Sequence, residues 1–162
     1  MKLVVHRGGL AIVLTFVLAL ILTIFPFPSW AEELRPHWVA LTVIYWAMAL
    51  PHRVSIGIGW TMGLLLDVLF DALLGQHALA LALVAFFTIR LHQRVRVFPL
   101  WQQAIVIFVL CLIYSMIVLW IKGITGTAPN LWLFILPSFT SSLLWPLVFL
   151  FLRQVRRAYR VS

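Results

Sequence analysis

Two acids, Asp67 and Asp71, have the side chains best suited to chemistry, because they lie in a stretch otherwise fit for lipid. Both fall in the apolar run 54–74, four residues apart, and so on one face of a helix. Counted from Val54, Asp67 lies about 20 Å along such a helix, past the middle of a bilayer's hydrocarbon core, with Asp71 one turn nearer the far interface. An acid at that depth costs about 2.5–3.5 kcal/mol on insertion scales, so it has to face protein or a wet cavity. Asp67 is then either a proton or ion site or the acceptor of an interhelical hydrogen bond. No basic residue is expected at its depth, which favours the structural role. Asp71 is expected to be interfacial and solvated. Asp67→Asn keeps hydrogen-bonding capacity without the charge and is expected to leave the protein folded, whereas Asp67→Leu is expected to lower membrane abundance.

The same run holds Gly57, Gly59 and Gly63, and Gly59-Trp60-Thr61-Met62-Gly63 pairs two glycines one helical turn apart. Without a Cβ there, another helix can approach closely. The face of Gly59 and Gly63 is open to two uses, packing inside the bundle or receiving a partner helix. Ala78, Ala82 and Ala85 give the next run a similar small stripe. Gly57-Ile58-Gly59-Trp60 comes near the GxGD pattern of intramembrane aspartyl proteases, but Trp60 stands in the acid's place and both acids share one helix, so that chemistry is excluded. HExxH, GxSxG and Walker A patterns are absent. The five histidines, at 6, 37, 52, 77 and 92, are spread over different run ends, so no shared metal site is expected. The one cysteine, Cys111, lies inside an apolar run and excludes a disulfide framework. No catalytic group and no cofactor is expected.

The elements that position these residues follow from composition. Hydrophobic residues make up 64% of the 162-residue chain and charged residues 10%, with a mean hydropathy of +1.10. Soluble domains carry about 25% charged residues, and so few charges cannot cover a surface in water. The expected fold is all-α, a single integral-membrane domain of six transmembrane helices at about 8–27, 37–50, 54–74, 77–91, 101–121 and 131–152. The second and fourth runs are short, rising only about 21–23 Å against a core of about 30 Å. Arg35 and Arg53 can extend the second by snorkelling. The fourth can recruit Leu73 and Leu74, sit inside the bundle, or be re-entrant, which would leave five spans. In the sixth, Pro137 and Pro146 are expected to kink the helix, with Thr140, Ser141 and Ser142 satisfying the freed carbonyls.

The net charge of +8 belongs to topology and not to nucleic acid, because the Lys and Arg residues punctuate run ends and form no single basic face. With both termini inside, Lys2, Arg7, Arg53, Arg90, Arg94, Arg96, Arg153, Arg156, Arg157 and Arg160 are cytoplasmic, and only Arg35 and Lys122 are outside. Glu32 and Glu33 fall outside as well. Trp30, Trp38, Trp120 and Trp132 then belt the outer interface, with Trp101 at the inner one. Lys2 and Arg7 followed by an apolar stretch and Ser29-Trp30-Ala31 imitate a signal peptide, but the stretch exceeds a signal core and Pro26 and Pro28 crowd the cleavage site.

A further pattern runs through Arg35-Pro36-His37-Trp38-Val39, Tyr45-Trp46-Ala47-Met48-Ala49-Leu50-Pro51-His52-Arg53-Val54, Gly57, Gly59, Gly63, Leu66-Asp67, Leu74-Gly75 and Leu100-Trp101-Gln102-Gln103. Over residues 35–103 above all, the chain resembles the MreD family of rod-shape-determining inner-membrane proteins. The resemblance implies a non-enzymatic subunit of the cell-elongation machinery, acting in lateral peptidoglycan synthesis. It implies MreC as direct partner and, through it, MreB, RodZ, RodA and RodA's class B transpeptidase partner. It also implies a six-span fold similar to the S components of ECF-type vitamin transporters, which keeps a small-ligand-binding or transport function as the alternative. Under the partner reading, MreC's transmembrane helix is the expected occupant of the Gly59 and Gly63 face.

Overall fold

The computed structural model describes residues 9–26, 28–31, 34–126 and 132–159. They hold six helices: α1 (Gly9–Ile24), α2 (Trp38–Ala49), α3 (Ile56–Leu69), α4 (Gln76–Val95), α5 (Leu100–Ile124) and α6 (Trp132–Ala158). Lys2, Arg7, Glu32, Glu33 and Arg160, used above for orientation, lie outside the described residues. Of the six, α4, α5 and the 135–158 part of α6 are long and apolar enough to cross a membrane, and α1, α2 and α3 are shorter apolar helices.

The shortest helix is the innermost. Every residue of α2 from Val39 to Ala49 is buried, against α1, α3, α4 and α6. A helix apolar on all sides is buried in lipid or in protein; here protein surrounds it, and a helix that meets protein need not match lipid thickness. Its length of 12 residues, about 18 Å, is therefore no defect. Arg35, expected to snorkel, packs onto a neighbouring helix instead of standing free. Its guanidinium turns back onto the end of α1, donating to the Thr23 carbonyl at 3.0 Å and the Phe25 carbonyl at 3.2 Å. Within the core the Trp46 indole donates to the Thr15 hydroxyl at 2.9 Å, so this fully buried side chain carries no unpaired polar atom.

The fourth run resolves differently from expectation. α4 is one continuous helix of 20 residues, about 30 Å long, long and apolar enough to cross a membrane. It lengthens not by recruiting Leu73 and Leu74 but at its other end, running through Arg90 and Arg94 to Val95. Gln103 closes the turn that follows. Its amide donates to the carbonyls of Val95 and Phe98 at 3.1 and 3.2 Å and accepts from the Trp145 indole at 3.2 Å. This buried glutamine ties α4, α5 and α6 at the arginine end of the bundle, where Arg96 also reaches the Ala49 carbonyl at the end of α2.

α3 lies along α4, and Gly59 and Gly63 are where they meet. A Cβ on Gly59 would stand 3.0 Å from the Leu81 carbonyl oxygen and 3.1 Å from the Ala85 Cβ. On Gly63 it would stand 2.5 Å from both the Ala78 nitrogen and the His77 oxygen. The small-residue face is thus filled by α4, with Ala78 and Ala85 supplying the opposite side, and no partner helix can reach it. α3 also stops at Leu69, five residues before the expected end, because Asp71 takes a positive φ of 51° and the chain turns through Leu73 and Leu74 to Gly75, at φ 101°. The apolar turn residues read as helix by hydropathy alone.

In α6 both prolines sit inside the helix. The expected compensation is only partly what occurs. The Thr140 and Ser141 hydroxyls donate to the carbonyls of Leu136 and Pro137 at 3.0 and 2.7 Å, and Ser142 crosses to the Ala104 carbonyl of α5 at 2.7 Å. These are not the carbonyls four residues before each proline that lose their donors.

Candidate functional site: a sunken polar cavity

The start of α2, the end of α3 and the start of α4 meet at one level, opposite the arginine end. α5 runs on nine residues past Ser115 to Ile124, about 14 Å beyond that level, and α6 begins six residues before Ser138. Short elements thus make a floor and long ones a rim. The result is an open cavity of about 960 Å³ lined from α1 to α6.

The floor is polar and tightly bonded. Asp67 is fully buried. Its Oδ1 accepts from the His77 backbone N–H and from His77 Nδ1, both at 2.8 Å, and its Oδ2 accepts from the Gly75 N–H at 2.8 Å. Gly75 and His77 belong to the first turn of α4, whose amides have no intrahelical acceptor, and α4 has no side-chain cap of its own. Asp67 is therefore a helix cap delivered from the neighbouring helix, placed where the α4 dipole favours an acid. Because a carboxylate only accepts, Nδ1 of His77 is the protonated nitrogen.

Beside this pair stands a second histidine. His37 donates its backbone N–H to the Ser141 hydroxyl at 2.9 Å, and its Nε2 lies 3.1 Å from the Ser115 hydroxyl, which is 3.2 Å from that of Ser138. Tyr114 joins the two histidines, with ring centroids 4.7 Å from His37 and 6.0 Å from His77. The Ser115–His37 distance would suit a nucleophile and its base, but Ser115 is buried and shared with Ser138, and Asp67 orients His77 instead. The contacts are ties between α2, α5 and α6. Among the described residues, no three His, Cys, Asp or Glu side chains converge as a metal would require.

Asp67 stands in the last turn of α3, and a histidine of the neighbouring helix, His77, stands at its level. The expectation that the histidines scatter fails for His37 and His77. A usable signal was present: in alternating helices, the end of the third run and the starts of the second and fourth share one level, and both histidines open such runs. Asp71 does not share the helical face of Asp67, since α3 has ended before it; it is exposed in the turn and lines the cavity. Gly59 and Gly63 lie in the α3–α4 seam, outside the site.

An apolar helical bundle with three membrane-capable helices and a polar cavity sunk into one end is a helical membrane protein. Its sequence relationships narrow this further. The family model for rod shape-determining protein MreD matches residues 7–155. The chain is also 34% identical over 146 residues to the rod shape-determining protein MreD of Haemophilus influenzae (strain ATCC 51907 / DSM 11121 / KW20 / Rd), with 90% of each chain covered. The chain belongs to the MreD family. No solved structure matches it.

Proposed function

We propose that this chain is the multi-pass inner-membrane subunit through which the cell-elongation complex holds MreC, and that it performs no catalysis. Both termini are cytoplasmic in this reading, with Arg53, Arg90, Arg94, Arg96, Arg153, Arg156 and Arg157 at the inner face and the cavity open to the periplasm. The observation that carries the docking is the cavity. The α3 glycine face is occupied by α4, and the outward faces of α1 and α6 offer apolar side chains such as Val13, Val17 and Leu143, which lipid covers equally well. Among the described residues, the cavity offers a periplasmic partner both polar groups and depth. MreB, RodZ, RodA and the transpeptidase are engaged at the level of the complex, and control of lateral peptidoglycan synthesis follows from it. A photo-crosslinking residue at Leu73, on the cavity wall, is expected to capture MreC in intact cells, and one at Leu143, on the outer face of α6, is not. Capture from Leu143 alone would move the interface to the helix faces.

Orientation has its own check. Reporters fused after Ala31 and Leu74 are expected to report periplasm, and those after Arg53 and Arg96 cytoplasm; a periplasmic signal at Arg96 would overturn the six-span arrangement. The volume of the cavity also favours a second reading, a small-ligand-binding protein built like the S components of ECF-type transporters.

A further inference from the structure

We propose that the floor of the cavity is an anion site, shaped for a carboxylate, formed by the free N-terminal amides of α2, the side-chain amide of Gln76 and the indole N–H of Trp38. Two helices begin at this floor, and each presents first-turn amides that need an acceptor. α4 has its acceptor, Asp67, supplied by the chain. α2 is served only at its edge: the His37 N–H reaches the Ser141 hydroxyl and the Trp38 N–H the Pro36 carbonyl, but its first turn holds no acid and His37 makes no side-chain capping bond. The amides of Val39 and Ala40 occupy the positions that a capping oxygen ordinarily serves, and both residues line the cavity. An anion placed there would do for α2 what Asp67 does for α4.

A helix start alone would not define a site. The second observation is independent of it. Gln76 is 4% exposed, lines the cavity, and has no hydrogen-bond partner for its Nε2. The Trp38 indole nitrogen, in the same lining, is likewise buried and unpaired. Buried donors left unsatisfied are costly, so two of them on residues that line one space call for an acceptor beside them. Both are donors, and donors alone select an oxygen-rich group. Arg35 and Lys122 of the lining stand against Asp71 and the Asp67 of the floor, so the unpaired donors and not net charge set the preference. The space accommodates a molecule of metabolite size whose carboxylate rests on the floor. The carboxylate has two sources, a free periplasmic solute or an acidic side chain on a docked protein segment. The site stands on this geometry whether or not MreC enters the same mouth.

The test uses the purified full-length protein in lipid nanodiscs, without partners, with glutarate as probe and chloride at equal ionic strength as control. Glutarate at saturation is expected to raise the thermal unfolding midpoint by about 3 °C or more, and chloride is not. Gln76→Leu removes an unpaired donor, so its midpoint without probe is expected to equal or exceed that of the wild type, with the glutarate shift lost. Trp38→Phe keeps the ring, deletes the N–H and is expected to weaken glutarate binding several-fold, which preserves the test should the leucine variant not fold. A wild type indifferent to glutarate, or a shift that survives Gln76→Leu, would overturn the site. Copurification of MreC with Gln76→Leu then assigns the source: retained, the carboxylate belongs to a solute; lost, to the partner.

Discussion

Gly63→Leu is expected to remove the protein from the membrane fraction, and Gly63→Ala already to destabilise it by about 3 kcal/mol, at the upper end of overpacking costs. The reason is what a side chain would meet. A single Cβ on Gly63 would lie 2.5 Å from the Ala78 nitrogen and the His77 oxygen. Both are backbone atoms, so no rotamer change relieves the clash and α3 and α4 have to part. Parting them draws His77 away from Asp67 and uncaps α4, so the damage extends to the cavity floor. Gly59→Ala, with contacts of 3.0 and 3.1 Å, is expected to cost less. Gly57 is the internal control, because its Cβ would meet only the Ser55 hydroxyl at 3.8 Å, and alanine there gains helix propensity. Abundance in washed membranes and denaturant unfolding of the purified variants are the measurements. Equal stability of Gly63→Ala and Gly57→Ala would show that the two helices are not held at this distance.

Asp67→Leu is expected to be as damaging by a different route. It leaves three donors, the Gly75 and His77 amides and the His77 ring, facing an apolar side chain in a buried place. At about 1–3 kcal/mol for each unsatisfied group, the loss exceeds what a small bundle tolerates. The structure also changes what is expected of Asp67→Asn. Every oxygen of Asp67 accepts, so an amide would set its own N–H group against one of these donors. An intermediate loss of about 1–3 kcal/mol is expected, with the protein present but reduced. Protein levels measured beside cell shape separate the roles. An Asn variant at full abundance that fails to restore rod shape would mean that the charge of Asp67 acts in function and not only in the cap.

Much of this architecture is legible in the sequence, and the remainder fails for identifiable reasons. Each of the six apolar runs contains one helix, because burial in lipid or in protein demands the same composition. That equivalence is also why hydropathy could not tell the enclosed α2 from a lipid-facing span, nor the turn through Leu73 and Leu74 from more of α3. The spacing of Gly59 and Gly63 identified a close-packing face but not its occupant, since the matching alanines are in the same chain. Asp67 was identified as buried, yet its partner was missed because depth was counted along one run and not compared between antiparallel neighbours. The cavity has no signature in any single run. It arises from the mismatch between helices of 12, 14 and 20 residues that end at its floor and those of 25 and 27 that rise past it.

The enclosure of α2 has a consequence for how the protein is made. This helix leaves the ribosome well before α6, yet the wall that shuts it in includes α6. The acceptor for the His37 amide is Ser141, 104 residues later in the chain, and Tyr45 rests on Trp145 and Phe149 of α6. Until α6 arrives, a segment about 18 Å long faces a hydrocarbon layer about 30 Å thick with its ends unsatisfied. α2 must therefore be sheltered at the insertion machinery, or held loosely by α1, while the rest of the chain is translated. Truncations that remove α6 strand it in that unfinished state, and these are the products that membrane proteases would find first.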